Sequence, residues 1–217
     1  MKTTVLLLVA IFVVAFVVLI VLMARQRERA RQAQIAQWAA SRGWTVTLRP
    51  GPIEWCSRLP GRNRRGVSQI LSGTVDRWPV SVAEYSYTTT TSTGDGGTTT
   101  TTHHFIVTVV RLASSYAPVA VQPRGGISRM GRALVGDNAA STGDEDFDRQ
   151  FRVKTQDPAS RALVGPTLIA EHLAGRIPAW SLAGQDLLAW QQGRLTDPTR
   201  IEALTAGLVR VASLIGR

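Results

Sequence analysis

From Val5 to Met23 the chain runs through nineteen apolar residues without a charge, VLLLVAIFVVAFVVLIVLM. At about 1.5 Å of rise per residue, a helix of this length roughly matches the hydrocarbon thickness of a bilayer. A helix apolar on every side has no stable place in water, so this stretch constrains the remainder more than any other. A cleavable signal peptide would carry an apolar core of about 7–15 residues with small residues before the cut. Here the run ends in Leu22, Met23 and Ala24 and enters RQRERARQ directly, which leaves no small-x-small site. Residues 1–24 are therefore expected to be a retained transmembrane anchor.

Lys2 precedes the run, whereas Arg25, Arg27, Arg29 and Arg31 follow it at once. The positive-inside rule keeps the denser cluster in the cytoplasm, and the rest of the chain with it. The expected location is the cell membrane, single-pass, with a cytoplasmic C-terminal domain. The net charge of +10 is concentrated beside the anchor: residues 25–65 hold ten arginines against Glu28 and Glu54, while residues 66–217 hold fourteen Lys and Arg against thirteen acids. Arg25, Arg27, Arg29 and Arg31 are expected to contact anionic headgroups, at roughly 1 kcal/mol for each residue near the surface. Arginines also neutralise nucleic-acid phosphates, so an Arg-rich nucleic-acid binder is a second reading. The position of the cluster against the helix favours lipid. Cys56 is the only cysteine and can close no internal disulfide; beside Trp55 it reads as a small buried hydrophobe.

Residues 25–43 read as a basic juxtamembrane helix, with Ile35, Trp38 and Ala39 on one face and Gly43 as its stop. Residues 44–217 read as one α+β domain. WTVTLR alternates as a strand, and PGPIEWCSRLPGRNRRG is a loop with at most a short strand over 53–56. ILSGTVDRWPVSVAEYSY supplies two strands; HHFIVTVVRL and PVAVQPR supply two more. ISRMGRALVG is expected to be a short helix, DNAASTGDED a polar loop, and 148–155 a strand with Phe147, Phe151 and Val153 on one face. Asp157-Pro158 and Asp197-Pro198 are helix starts of one design, an acceptor cap followed by a proline whose missing N–H costs nothing. Gly165-Pro166 should divide the first of these helices. PAWSLAGQDLLAWQQGRL looks like a hairpin turning near Gly184, and the closing helix carries Ile201, Leu204, Leu208, Val211 and Leu214 on one stripe.

The run TTTTSTGDGGTTTTTHH, residues 88–104, contains no proline, unlike a glycosylated stalk. Asp95-Gly96 is the pair favoured in a two-residue hairpin turn, which would set Thr93 opposite Thr98, Tyr87 opposite His104, Tyr85 opposite Ile106 and Val82 opposite Val109. The threonines then form the outer half of a long β-hairpin arm. Its tip, Thr93, Gly94, Asp95, Gly96, Gly97 and Thr98, is the candidate site for a protein partner.

The search for chemistry returns little. His103 and His104 are neighbours in a strand and point to opposite faces, and the third histidine, His172, lies on a different element. Asp144, Asp146 and Asp148 resemble the start of a calcium loop, but the sixth and twelfth places hold Arg149 and Thr155 where Gly and Glu are required. No phosphate-binding glycine loop and no nucleophile elbow occurs. Neither catalytic residues, nor a metal site, nor a cofactor is assigned. In FDRQFRV the aromatic residues read as core and the charges as the outer face.

WAASRGW after a short anchor, SGTVDRWPVSVAEYSYTTT, THHFIVTVVRL, FDRQFRVKTQDPASRALVGPTLIAEHL and LAGQDLLAWQQGRL resemble, in that order, a group of conserved hypothetical actinobacterial proteins that often carry a hydrophobic N-terminus. The resemblance covers roughly residues 38–214 and implies a single intact domain, with no activity and no site residue to carry over. The expected architecture is α+β: an N-terminal transmembrane helix, then a domain with a mostly antiparallel sheet, a long β-hairpin arm and a C-terminal helix. A pleckstrin-homology-like arrangement is the alternative, from which the helices over 158–174 depart. The expected function is a membrane-anchored interaction or scaffold module at the cytoplasmic face. An envelope-associated, hydrolase-like enzyme with a dispersed site is kept beside it.

Overall fold

The computed structural model describes residues 2–92, 94, 96–124 and 139–216, and only the backbone at 2–11, 13, 14, 139 and 140. One helix, α1 (Lys2–Ser41), runs from the apolar stretch through the arginine cluster into the domain. Four strands follow: β1 (Thr45–Leu48), β2 (Val67–Val75), β3 (Trp78–Ser92) and β4 (Thr98–Pro123). Then come β5 (Ala139–Ala140), α2 (Glu145–Gln150), β6 (Phe151–Thr155), α3 (Pro158–Ala162), α4 (Pro166–Leu173), β7 (Trp180–Gln192) and α5 (Ile201–Ile215). The seven strands form one sheet in the order β1-β2-β3-β4-β6-β5, with β7 also paired to β4. Each of these pairings is antiparallel.

β4 is the spine. Along one edge it pairs first with β3 and, past a bend at 111–119, with β6; along the other it pairs with β7 on both sides of that bend. HHFIVTVVRL and PVAVQPR are thus one strand rather than two, and PAWSLAGQDLLAWQQGRL is one strand rather than a hairpin. The reason lies at Gly184, which adopts φ +59° and sits opposite Tyr116 at the register shift. A glycine there lets β7 follow the bend of β4 instead of reversing.

Side-chain alternation gives the sheet two covered faces. Val80, Val82 and Glu84 of β3 point to α1 and α5, with Ile35, Leu71, Ile106, Leu195 and Ile201 gathered in one cluster. Ala83, Tyr85 and Tyr87 point the other way, with Phe105, Val107 and Leu188, under a cover of two 3₁₀ turns, Glu54–Arg58 and Pro60–Arg62, that supply Cys56 and Leu59. These turns replace the short strand expected over 53–56. A third cluster joins Trp78, Val110, Leu182 and Leu187 to Leu208 and Val211 of α5.

Several local readings hold. Asp157 accepts from the N–H groups of Ala159 and Ser160 and opens α3, and Gly165-Pro166 separates α3 from α4. Asp197 accepts from Thr199 N–H ahead of a 3₁₀ turn, Pro198–Arg200, that leads into α5. On α5, Ile201, Leu208 and Val211 are buried, whereas Leu204 and Leu214 only border the core and Thr205, Val209, Ala212 and Ile215 complete it. Residues 148–150 are not strand: Asp144 accepts from Phe147 N–H and starts α2, so Phe147 reaches the core from a helix and β6 begins at Phe151. The helix expected in ISRMGRALVG lies outside the described residues.

The hairpin is present with its register one residue from the expected one. Ser92 pairs with Thr98, which sets Tyr87 opposite His103, Tyr85 opposite Phe105 and Val82 opposite Thr108. Five residues, 93–97, therefore join the strands instead of the two-residue Asp95-Gly96 turn; Thr93 and Asp95 themselves lie outside the described residues. A one-residue slip exchanges the faces of every side chain, and the aromatic residues choose the register. As found, Tyr87 stacks on His103 at 4.8 Å and on Phe105 at 5.8 Å. In the other register Tyr85 would face Ile106, which belongs to the opposite layer.

Candidate functional site

The densest polar construction joins α1 to the sheet. Arg31 falls on the same helical stripe as Ile35 and Ala39, at successive fourth residues, so it is carried inward with them. Its guanidinium uses every one of its N–H groups. Nε donates to Glu28 at 3.2 Å, one terminal nitrogen donates to Glu84 at 2.8 Å and to the Leu195 carbonyl at 2.7 Å, and the other donates to Glu28 at 2.6 Å and to Glu84 at 3.1 Å. The Glu84 carboxylate also accepts from Leu195 N–H at 2.9 Å. The Arg31 and Glu84 side chains retain only 14% and 9% of their exposure. Burial works against the Arg31 charge, but the hydrogen bonds to Glu28 and Glu84 outweigh it and hold its pKa above the ordinary value. The bond to Arg31 holds the Glu28 carboxyl below its usual range. Arg194 reaches Glu28 at 3.5 Å, and at the far end of the interface Arg42 is ion-paired with Glu202.

This removes Arg31 from the expected headgroup set: a fully engaged, largely buried guanidinium is a structural clamp. Arg25, Arg27 and Arg29 are exposed on α1 between the clamp and the apolar run. The partner residues Glu84, Arg194 and Leu195 were missed from the sequence. Two signals pointed to them. Glu84 is an acid at a core-facing position of an alternating strand, and Arg31 is the member of its cluster one turn from Ile35.

Of the described part of the apolar run, Phe12 and residues 15–23, every side chain is exposed, from Phe12 at 71% to Val21 at 42%. Among the described residues no helix is long and apolar enough to cross a membrane; residues 5–11, 13 and 14 of the run lie outside the described side chains. Residues 88–92 and 98–102 of the arm are exposed, with Gly94, Gly96 and Gly97 beyond them.

Other polar groups are accounted for by the fold. Glu171 takes two forks, from Arg176 at 2.8 and 2.9 Å and from Arg210 at 2.5 and 2.7 Å, and these push its pKa down to about 2. The Trp180 indole donates to His172 Nε2 at 3.0 Å, which leaves the ring proton on Nδ1, where it has no partner; burial pushes the His172 pKa down to about 4. Burial likewise pushes the Cys56 thiol up to about 11, as for an inert hydrophobe. His103 bonds Thr89 at 3.1 Å. Among the described residues no three His, Cys, Asp or Glu side chains come together as a metal set.

An open depression of about 570 Å³ is lined by Arg124, Ser141, Gly143, Glu145, Asp148 and Arg149. Asp148 is already held there by Ser141 and Thr142, and Arg149 by Asp146. A smaller cleft of about 120 Å³, with Ser68, Glu84, Ser86, His104 and Arg194 in its wall, adjoins the Arg31 clamp.

No family model matches the chain, and no curated protein matches it. Among solved structures, it is similar to a mycobacterial one. That is the crystal structure of the mycobacterial trehalose monomycolate transport factor A, TtfA, at 12% identity and a TM-score of 0.46, with 87% of this chain and 93% of that chain covered.

Proposed function

We propose that the protein is a single-pass membrane protein whose α+β domain is held against the cytoplasmic face and works by binding, as an interaction or scaffold module. One observation carries this reading: an unbroken helix in which an exposed apolar surface at 15–23 leads, within eight residues of Met23, to a guanidinium locked into the sheet at Glu84. A helix so coated in apolar side chains is stable only where lipid surrounds it. The clamp turns it from a flexible leash into a rigid mount. Arg25, Arg27 and Arg29 supply the electrostatic attraction to anionic headgroups, and the threonine arm is the element offered for binding. The resemblance of its sequence blocks to the actinobacterial group, whose members often carry a hydrophobic N-terminus, supports the same reading.

Alkaline carbonate extraction checks the anchor: the protein is expected to stay with the membrane pellet, and release into the supernatant would remove the reading. Reporters fused after residue 217 check orientation, with activity expected from the cytoplasm-dependent reporter and not from the periplasm-dependent one.

A further inference from the structure

Four levels along β3 match four positions of α1 and its stop in strict reverse order. Near the start of β3, Gly73, paired with Val80, lies so close against the Trp44 indole that a Cβ there would collide with the ring. Next, Ile35 shares a cluster with Val82 and Ile106. Then Arg31 binds Glu84. Last, Glu28 meets Arg194, whose neighbour Gly193 donates to the carbonyl of His104, the residue opposite Ser86. Going toward the anchor along α1 is therefore going toward the arm along β3. Both leave the domain on the same side.

The distances make this consequential. From Glu28 to Met23 the helix rises about 8 Å, whereas from Ser86 to Ser92 the ribbon extends about 20 Å. An arm inclined by as much as about 60° to α1 still reaches the level at which the apolar run begins.

We infer that residues 88–92 and 98–102 of the arm rest on the polar headgroup layer of the bilayer that holds α1, as a second, non-covalent contact beside the anchor. The inference rests on the anchor reading above and names the partner of the arm. Nine threonines and one serine, all exposed, make up these two stretches. Each hydroxyl both donates and accepts, which suits phosphate and ester oxygens and their water, while the threonine methyls tolerate the interface. Between Glu84 and Arg111 the only formal charge is Asp95, so the flanks of the arm do not repel anionic lipid. Protein-binding surfaces concentrate their energy in Trp, Tyr and Arg, and these two stretches contain none. Weak single contacts suffice, because a tethered arm meets the surface at a millimolar-scale effective concentration.

The test places one thiol label at a time on the full chain, in a Cys56→Ala background, reconstituted in protein-free vesicles of phosphatidylcholine and phosphatidylglycerol. Ser92→Cys reports the arm, Arg77→Cys the opposite end of β3, and Phe16→Cys the anchor. The expected result is several-fold stronger quenching by headgroup-labelled lipid at residue 92 than at residue 77, with residue 16 quenched by acyl-chain labels. If residue 16 is buried in lipid while residue 92 matches residue 77, the arm inference is overturned and the anchor stands. Contact at residue 92 that appears in native membranes but not in protein-free vesicles assigns the arm to a protein and also overturns it. If residue 16 stays in water, both readings fall.

Discussion

Arg31 acts inside the fold, as the partner of a buried carboxylate. Removing it leaves Glu84 buried beside an unpaired Leu195 carbonyl, and breaking a buried ion pair from one side costs about 3–5 kcal/mol. Arg31→Ala in the full chain is expected to lose stability on that scale by denaturant titration in detergent, read from tryptophan fluorescence. Arg31→Lys should recover only part of it, because an ammonium cannot reproduce the forked pattern. A loss below about 1 kcal/mol, the range of an exposed pair, would remove the clamp from the argument. Two other residues contribute to the response to acid. His172 has its pKa lowered from 6.5 to about 4, so its contribution is complete above 6.5 and is lost as pH falls toward 4. The full swing is about 3 kcal/mol. Glu171, lowered from 4.5 to about 2, contributes fully above 4.5 and loses its contribution as pH falls toward 2. Stability followed against pH should therefore decline in two windows, the first flattened in His172→Gln and the second in Glu171→Gln.

The hairpin arm is a ribbon whose two strands have each other and little else. β2 leaves β3 at Tyr85 and β7 leaves β4 at Phe105, so among the described residues no further strand pairs with the outer edges of the ribbon beyond Thr88 and Thr102. Two strands alone are only marginally stable in water. Amide exchange in detergent is expected to be fast at residues 88–92 and 98–102 and slow at Val80, Val82 and Tyr85, with a steep boundary near Tyr87. Uniform protection along β3 would contradict this, and slowing of the arm on transfer to bilayers would accompany headgroup contact. The strand content of the arm was legible in its threonines, but its register was not. Turn chemistry alone points to Asp95-Gly96, and the pairing is set instead by the Tyr85, Tyr87, His103 and Phe105 rings, whose stacking depends on which face each one takes. The same limit explains β7: Gly184 reads locally as a turn, and only the bend in β4 alongside it makes it a bulge within one strand.

Across the whole molecule, local chemistry was readable wherever residues near in sequence act on one another. The apolar run and its basic flank, the caps at Asp157 and Asp197, the break at Gly165-Pro166, the amphipathic α5 and an antiparallel α+β design were all present in the order of residues. So were Arg25, Arg27 and Arg29 as a surface set. These are matters of periodicity, propensity and short-range hydrogen bonding, which a chain carries with it before it folds. What depended on the fold were the contacts between residues far apart: the closure of Arg31 on Glu84 and Leu195, the role of β4 as the spine shared by β3, β6 and β7, and the common direction of α1 and the arm. Packing decides these. A charge in a core-facing position has its meaning only from the charge placed opposite it, and a strand's neighbours are chosen by burial on both faces of the finished sheet, neither of which is written in any local stretch of residues.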